Sequence, residues 1–449
     1  MKTTSISTKM KSLFKSLALT VVCCVGLMNT NVSIGQNISE IDEFPEGASQ
    51  TITQKWGNRQ VVYDQKSLTE GYFIVVEPHS TNIYPKITLD GIIVRDFVVF
   101  HDSVFFTGDN YYGDGFYAYF SLNAVMSGIV DITYRYLTNS DGFHFYGMDC
   151  IKAFTLDGET NVMLIGNRVK NEYVERCLFN TQINSSSLKY IYDANEHFDD
   201  VEILDDYVVS AARKGGDIKL DPVFLRFYPL DSPFYMTGGI CDELYTNSKL
   251  FLAFGRVRLQ KYNGSNCGLL FKNKNFKCNI FSFEVNNYPS SNIFSATSLD
   301  TIVANMTIDT LLDVGFNQLD NRLFILMDSI GGFKRNLVAN FSGHHAILNS
   351  NASIYLVPFT AQSVADFEPA GFYVSSVKNG ILATCWQTIY YPTNCINSYI
   401  IQIDNLNPHI EHFDQTHTQV YCSVTTETTR YFTQQNRYDR ACRVSRKEY

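Results

Sequence analysis

One phrase recurs along this chain and constrains its fold more than any other feature. It is an Asp or Asn turn, then a run of three to five apolar or small residues, often closing on Gly or Ala. It stands at Asp102-Ser-Val-Phe-Phe-Thr-Gly108, Asp157-Gly-Glu-Thr-Asn-Val-Met-Leu-Ile-Gly166 and Asp206-Tyr-Val-Val-Ser-Ala-Ala212. It returns at Asn247-Ser-Lys-Leu-Phe-Leu-Ala-Phe-Gly255, Asp320-Asn-Arg-Leu-Phe-Ile-Leu326 and Asn379-Gly-Ile-Leu-Ala-Thr384. Most copies come after a strand-like segment, such as residues 93–100 or 201–204, and most precede an alternating one, such as 116–122, 173–179 or 223–228. Each unit therefore reads strand, turn, strand, loop, strand, with anchors spaced 55, 49, 41, 73 and 59 residues apart.

Antiparallel strands repeating every ~50 residues are the pattern of a β-propeller blade. A middle strand buried on both faces between neighbouring blades accounts for runs such as VVSAA and ILAT. Helical periodicity is nearly absent, and its nearest candidate, residues 311–316, is too short to count. The expectation is an all-β propeller of six or seven blades. Six anchors supply six blades, and terminal segments (60–63 with 72–76, and 419–424 with 428–432) could jointly form a seventh that closes the ring. A right-handed β-helix and tandem β-sandwiches remain as alternatives.

Composition supports an ordered, exported protein. With 45% hydrophobic and 18% charged residues the chain is too apolar for a disordered one. Lys+Arg 36 against Asp+Glu 45 excludes a polybasic nucleic-acid binder. Residues 1–35 read as a signal peptide: Lys2, Lys9, Lys11 and Lys15 with no acid, an apolar run over 17–28, then Ser33-Ile34-Gly35 ahead of Gln36. Lipidation at Cys23 or Cys24 is the less favoured reading, because bulky Val22 precedes the thiol. Cleavage would leave residues 36–449, with 32 basic against 45 acidic residues, as one propeller with an irregular lead-in and a basic C-terminal tail. No later apolar stretch is long enough to span a bilayer. The expected location is secreted, periplasmic or at the cell surface.

Nine cysteines remain beyond the signal, an odd number, and none forms a CxxC pair. A two-residue turn at Lys272-Asn273 would set Cys267 opposite Cys278, and Cys385 and Cys395 bracket a second turn signal; both pairs are disulfide candidates.

The phrases FVVFHDSVFFTGD and FDDVEILDDYVVSAARK, with the short-strand grammar between them, resemble a group of exported, functionally uncharacterised propeller-like proteins of Bacteroidales bacteria. The resemblance is strongest over residues 90–230 and implies the same propeller architecture and export, with no catalytic set to carry over.

Known chemical signatures are sparse. With Trp only at 56 and 386 there is no sialidase Asp box and no WD dipeptide, which argues against a WD40 scaffold. Asp109-Asn-Tyr-Tyr-Gly-Asp-Gly115 is the best local metal candidate: Asp109 and Asp114 could offer oxygens to Ca²⁺, although the loop lacks EF-hand spacing and reads first as a hairpin turn. No cofactor is otherwise expected. His101 and Asp102 read as a turn, as do the acid pairs Asp199-Asp200 and Asp205-Asp206. The His409-Ile-Glu411-His412 cluster splits between two faces of a strand.

Two functional readings are open. One is a non-catalytic binding or scaffold propeller, presenting Tyr111, Tyr112, Tyr117, Tyr390 and Tyr391 to a protein or glycan partner. The other is a propeller-type glycoside hydrolase or lyase, with carboxylates gathered at the central channel.

Overall fold

The computed structural model describes the backbone of residues 38–44 and of most of 50–448; side-chain surroundings are described for stretches of 54–230 and for 257–259, 261 and 267–269. The expected leader at 1–35, Cys23 and Cys24 lie outside the described residues. The chain divides between Ser39 and Glu40, and all strands from Gln50 onward belong to the second unit.

Successive antiparallel sheets succeed one another along the chain. Blade 1 runs Gln50–Trp56, Arg59–Gln65, Glu70–Val76, Ile87–Asp90. Blade 2 is Ile92–Phe100, Ser103–Asn110, Gly115–Ser121 and Thr133–Tyr136; blade 3 is His144–Leu156, Glu159–Lys170, Tyr173–Gln182 and Lys189–Tyr192. Blade 4 comprises Glu196–Leu204, Tyr207–Lys214, Leu220–Pro229 and Ile240–Glu243. Blade 5 comprises Leu252–Lys261, Asn266–Lys272, Cys278–Glu284 and Phe294–Ser298. Blade 6 holds Leu311–Asn317, Arg322–Ile330, Phe333–Ser342 and Ala352–Leu356. In blade 7 two pieces, Ala365–Asp366 and Val374–Val377, share Gly380–Ile389 as partner, and Cys395–Asp404 and Asn407–Phe413 complete the sheet. Blade 8 joins the chain ends: Thr418–Thr425, Thr429–Asn436 and Cys442–Glu448, with Ile38–Phe44 as its fourth strand.

The all-β propeller stands; among the described residues its strands group into eight blades in place of the expected six or seven, with blades 4 and 5 joined into one sheet where residues 220–222 pair with 252–254. Five of the six phrases form the second strands of blades 2, 3, 4, 6 and 7, whereas the phrase at residues 247–255 runs through Lys249–Leu250, which pairs separately with Tyr245–Thr246, into the first strand of blade 5. The terminal segments make two blades where one was expected, because residues 59–76 pair among themselves and the C-terminal strands take Ile38–Phe44 instead. The lead-in strand Ile38–Phe44 and the tail strand Cys442–Glu448 thus pair with each other in the closing sheet. Residues 311–316 lie in a strand, and among the described residues the helix Leu122–Met126 is a single turn capped by the Ser121 hydroxyl.

First strands pack against first strands from blade 8 round to blade 5, and again from blade 6 to blade 8, so these strands surround the axis. Between blades the faces are apolar. Phe73 of blade 1 meets Phe97, Phe106 and Phe120 of blade 2 with ring centroids at 5.2, 5.2 and 5.3 Å. Comparable clusters fill the junctions of blades 2 and 3, 3 and 4, and 4 and 5. Truncating one such Phe to Ala costs about 3–5 kcal/mol. Among the described residues these junctions hold many of the phenylalanines.

Tight turns join the first two strands of each of the first four blades. Phe100 pairs with Ser103, Leu156 with Glu159 and Leu204 with Tyr207, leaving two-residue loops. His101, Asp157 and Asp205 take φ of 51°, 53° and 42° there, the left-handed start that a twisted hairpin requires. His101 and Asp205 are therefore turn residues, as their sequence context implies. Asp199 and Asp200 differ: they lie inside the strand Glu196–Leu204, at a β-bulge.

That bulge recurs, with irregular register at Val94/Asp96, Tyr146/Cys150, Phe198/Asp200 and Phe254/Arg258 in the first strands of blades 2 to 5. A bulge re-aims the extra residue. Gly108, Gly166 and Ala212 on the second strand stand against the first three, which explains why the recurring phrase closes on a small residue. A Cβ on Gly108 would collide with the Ile93 carbonyl.

Neither disulfide candidate forms a facing pair. The turn after Lys272 takes five residues, so Cys267 lies opposite Phe283 and Cys278 opposite Lys272. Five strand positions then separate the two cysteines, about 17 Å, beyond the 4.4–6.8 Å that a disulfide bridges. Cys385 faces Tyr399 and Cys395 faces Ile389, a separation of about 13 Å by the same rise. Cys150, Cys177 and Cys267 are buried thiols. No helix among the described residues is long and apolar enough to cross a membrane.

Candidate functional site

Strands alternate in direction, so the turns joining second to third strands emerge on one face of the ring, together with the connections that lead into each first strand. In blade 2 this turn is built around Asn110. Its Oδ1 accepts from Tyr112 N at 2.9 Å and Asp114 N at 2.8 Å, while Gly113 takes the left-handed conformation at φ 84°. The turn holds two tyrosines outward: Tyr111 is 69% and Tyr112 85% exposed, their rings edge to face at 5.8 Å. On the same face of blade 3, Tyr173 and Val174 are 79% and 57% exposed. His144, at the entry to blade 3, lies 3.3 Å from Asp114 and stacks on Tyr146.

The same turn holds the two acids expected as Ca²⁺ ligands. Asp109 is buried; its Oδ2 accepts from Arg95 Nε at 2.7 Å and its Oδ1 from Gly147 N at 2.5 Å. Asp114 accepts from Asn110 Nδ2 at 3.0 Å. Both carboxylates are engaged by protein donors, and no cluster of three His, Cys, Asp or Glu suited to a metal occurs among the described residues.

Tyr117 belongs to a different place. Its ring is buried and its hydroxyl shares a hydrogen bond with Thr181; burial pushes the phenol up from its ordinary value. It lines a cleft of about 460 Å³ on the outer side of the junction between blades 2 and 3. Tyr134, Arg135, Tyr136 and Leu137 form one wall, and Thr181, Asn184, Ser185 and Leu188 of blade 3 the other. The wall is polar and, among the described residues, free of carboxylates. The Tyr134 phenol is pushed up to about 12, chiefly by burial.

Near the axis, ionisable groups of blades 2 to 4 meet. Asp96 accepts from Ile151 N of blade 3 at 2.9 Å, and Lys152 Nζ lies 3.0 Å from Glu202 of blade 4. Burial is the largest influence on Asp96 and pushes its carboxyl up to about 6, against the Ile151 N–H and the Lys152 charge. For Lys152 burial disfavours the charge, but Glu202, Cys150, Asp200 and Asp96 outweigh it and hold the ammonium above its usual range. At the next junction Asp200 accepts from Leu259 N at 2.9 Å and Asp199 from Val257 N at 3.0 Å. Asp199 also pairs with Arg213 at 2.5 and 3.0 Å. Between blades 3 and 4 the polarity reverses, and Arg176, held bidentate by Asp149, donates to the Phe198 carbonyl at 2.7 Å. These groups fasten one blade to the next, which sequence reading missed; the signal was the acid at 96, 149, 199 and 200, a few residues before each first turn.

Of the tyrosines singled out from sequence, Tyr111 and Tyr112 share the exposed turn, Tyr117 lines the cleft, and Tyr390 and Tyr391 lie outside the described residues.

The architecture defines a β-propeller. The chain is similar in structure to the WD40 domain of SCAP from fission yeast, with TM-score 0.52 and 6% identity over 92% of this chain and 98% of that domain. That likeness concerns the propeller fold, which this chain forms without a WD dipeptide. A post-proline cleaving enzyme from Rickettsia typhi aligns with TM-score 0.46 and 12% identity, over 88% of this chain and 58% of that one. Prolyl oligopeptidase B from Galerina marginata aligns with TM-score 0.48 and 7% identity, over 88% and 56%. No protein-family model matches the sequence, and no curated protein does.

Proposed function

We propose that this chain is an exported, non-catalytic binding propeller that presents the turn face of blades 2 and 3 to a protein or glycan partner, in the periplasm, at the cell surface or outside the cell. The observation that supports it is the group of outward side chains on that face, Tyr111, Tyr112, Tyr173 and Val174. Rigid aromatics held out by a hydrogen-bonded turn lose little conformational freedom on contact, and each offers apolar area with a polar tip. Asp109 roots the turn in the blade 3 backbone through Gly147, so the tyrosines are presented on a fixed base.

The hydrolase alternative needs two carboxylates facing one substrate. The axial acids Asp96, Asp200 and Glu202 already accept backbone N–H groups or Lys152, so they serve the scaffold first. The test is a glycan array and a peptide array probed with the wild-type protein and a Tyr111→Ser/Tyr112→Ser/Tyr173→Ser variant. Reproducible hits that vanish in the variant are expected. Turnover of an array ligand, or hits that persist unchanged in the variant, would overturn the reading.

A further inference from the structure

The cleft beside Tyr117 contains an unusual wall. Four consecutive residues, Tyr134, Arg135, Tyr136 and Leu137, line it, though side chains on a strand alternate. The Tyr134 and Tyr136 rings point to the opposite face, where they pack on Phe106 and Phe116 with centroids 6.0–6.3 Å apart. What these two residues bring to the cleft is therefore the backbone edge of the outermost strand of blade 2.

Register decides which backbone groups that edge offers. Leu137 N donates to the Gly115 carbonyl at 3.0 Å, and Arg135 pairs with Tyr117 in the same ladder. In an antiparallel pair, hydrogen-bonded positions alternate with positions whose N–H and C=O point away. Arg135 and Leu137 thus face the blade, and the N–H and C=O of Tyr134 and Tyr136 face outward, with no backbone partner for them among the described residues. All outermost propeller strands have an outer edge. This one borders a polar cleft of about 460 Å³ whose far wall offers Thr181, Asn184 and Ser185. Arg135, exposed, has no carboxylate partner in the lining among the described residues, within a protein of net charge −9.

We propose that the outer edge of blade 2 is a strand-addition site for an extended peptide carrying an acidic side chain. The peptide backbone pairs with Tyr134 and Tyr136, and its carboxylate meets Arg135. An edge of four residues, about 13 Å long, suits a segment of four to six residues. Outward N–H and C=O groups at alternate positions match the repeat of an extended peptide backbone, which makes a peptide the favoured occupant.

The probe is a fluorescent octapeptide of alternating Glu and Val, titrated by anisotropy against the full chain. Three comparison probes are a Lys/Val octapeptide, the Glu/Val octapeptide N-methylated at alternate residues, and a uronic acid oligomer. The expected result is saturable binding of the Glu/Val peptide, weakened about tenfold or more by N-methylation and by Arg135→Glu. Equal binding of the Lys/Val peptide, no loss on N-methylation, or binding of the uronic acid oligomer alone would overturn the proposal. N-methylation alters only the probe, so its result does not depend on how a variant folds. Tyr111 and Tyr112 are not in the cleft, so loss of this site leaves the turn-face reading standing, and the reverse.

Discussion

Removing the Asp199 carboxylate should weaken the protein at one junction in a way two independent measurements can read. Asp199 is buried and binds Arg213 Nε at 2.5 Å, Arg213 Nη2 at 3.0 Å and Val257 N of the next blade at 3.0 Å. Asp199→Ala leaves a buried guanidinium without its bidentate partner, a loss of about 3–5 kcal/mol in comparable sites. Asp221, 3.7 Å from Arg213, keeps part of the compensation, which argues for the lower end, about 3 kcal/mol. The orphaned Val257 N–H adds about 1 kcal/mol. The pair tests itself, because Arg213→Leu in the same chain should return much of the loss by removing the unpaired charge.

Urea denaturation at pH 7 reads the global cost, and hydrogen exchange at the Val257 amide reads the local one. For Asp199 burial works against ionisation, but His197, Arg213 and the Val257 N–H outweigh it and hold the carboxyl below 3.8. Its contribution is therefore complete above that value and is lost as pH falls below it, so wild type and variant should converge in acid. A variant within about 0.5 kcal/mol of wild type, with Val257 protection intact, would refute the reasoning.

Asp96 should act with the opposite sign: with its carboxyl at about 6, above the usual 3.8, the folded state binds the proton more readily, so this group adds stability as pH falls from 7 towards 4. Partial exposure limits the effect to about 1–2 kcal/mol, and urea midpoints across that range should lose this component in Asp96→Asn. Gly108→Ala should lower the melting temperature through a cost of about 1–3 kcal/mol, because the new methyl meets the Ile93 carbonyl; an unchanged melt would refute the close approach. The Cys177 thiol, pushed up to about 12 mainly by burial, should resist a thiol reagent in the native protein and react at once in denaturant. Tyr112→Ser should change stability by less than about 0.5 kcal/mol in the same denaturation assay, since the ring contributes to contact and not to the core.

Local patterns carried much of the fold. The phrase around Asp102, Asp157 and Asp206 marks real hairpins because turn chemistry and the apolar strand after it are both properties of a few adjacent residues. Registers were harder. Cys267 and Cys278 looked opposite under a two-residue turn, but a five-residue turn moves every pairing and parts them. Blade number failed for a related reason: nothing near Ile38–Phe44 announces that its partner is Cys442–Glu448, at the far end of the chain.

The candidate sites divide the same way. Tyr111 and Tyr112 were legible as exposed because Asn110, Gly113 and Asp114 spell a turn. The cleft beside Tyr117 was not, since its walls come from different blades and its key groups are backbone atoms freed by pairing parity.

By itself, the sequence determined the strand class, the hairpin turns and the outward tyrosines of blade 2, because these depend on side-chain alternation and local backbone preference. Only the tertiary structure decided that the described strands group into eight blades, that Ile38–Phe44 and Cys442–Glu448 share the last one, and that bulge acids such as Asp96 and Asp199 reach into the next blade. Those features depend on which surfaces meet after the ring closes, and a carboxylate beside a turn carries no mark of the N–H it will find 58 residues later.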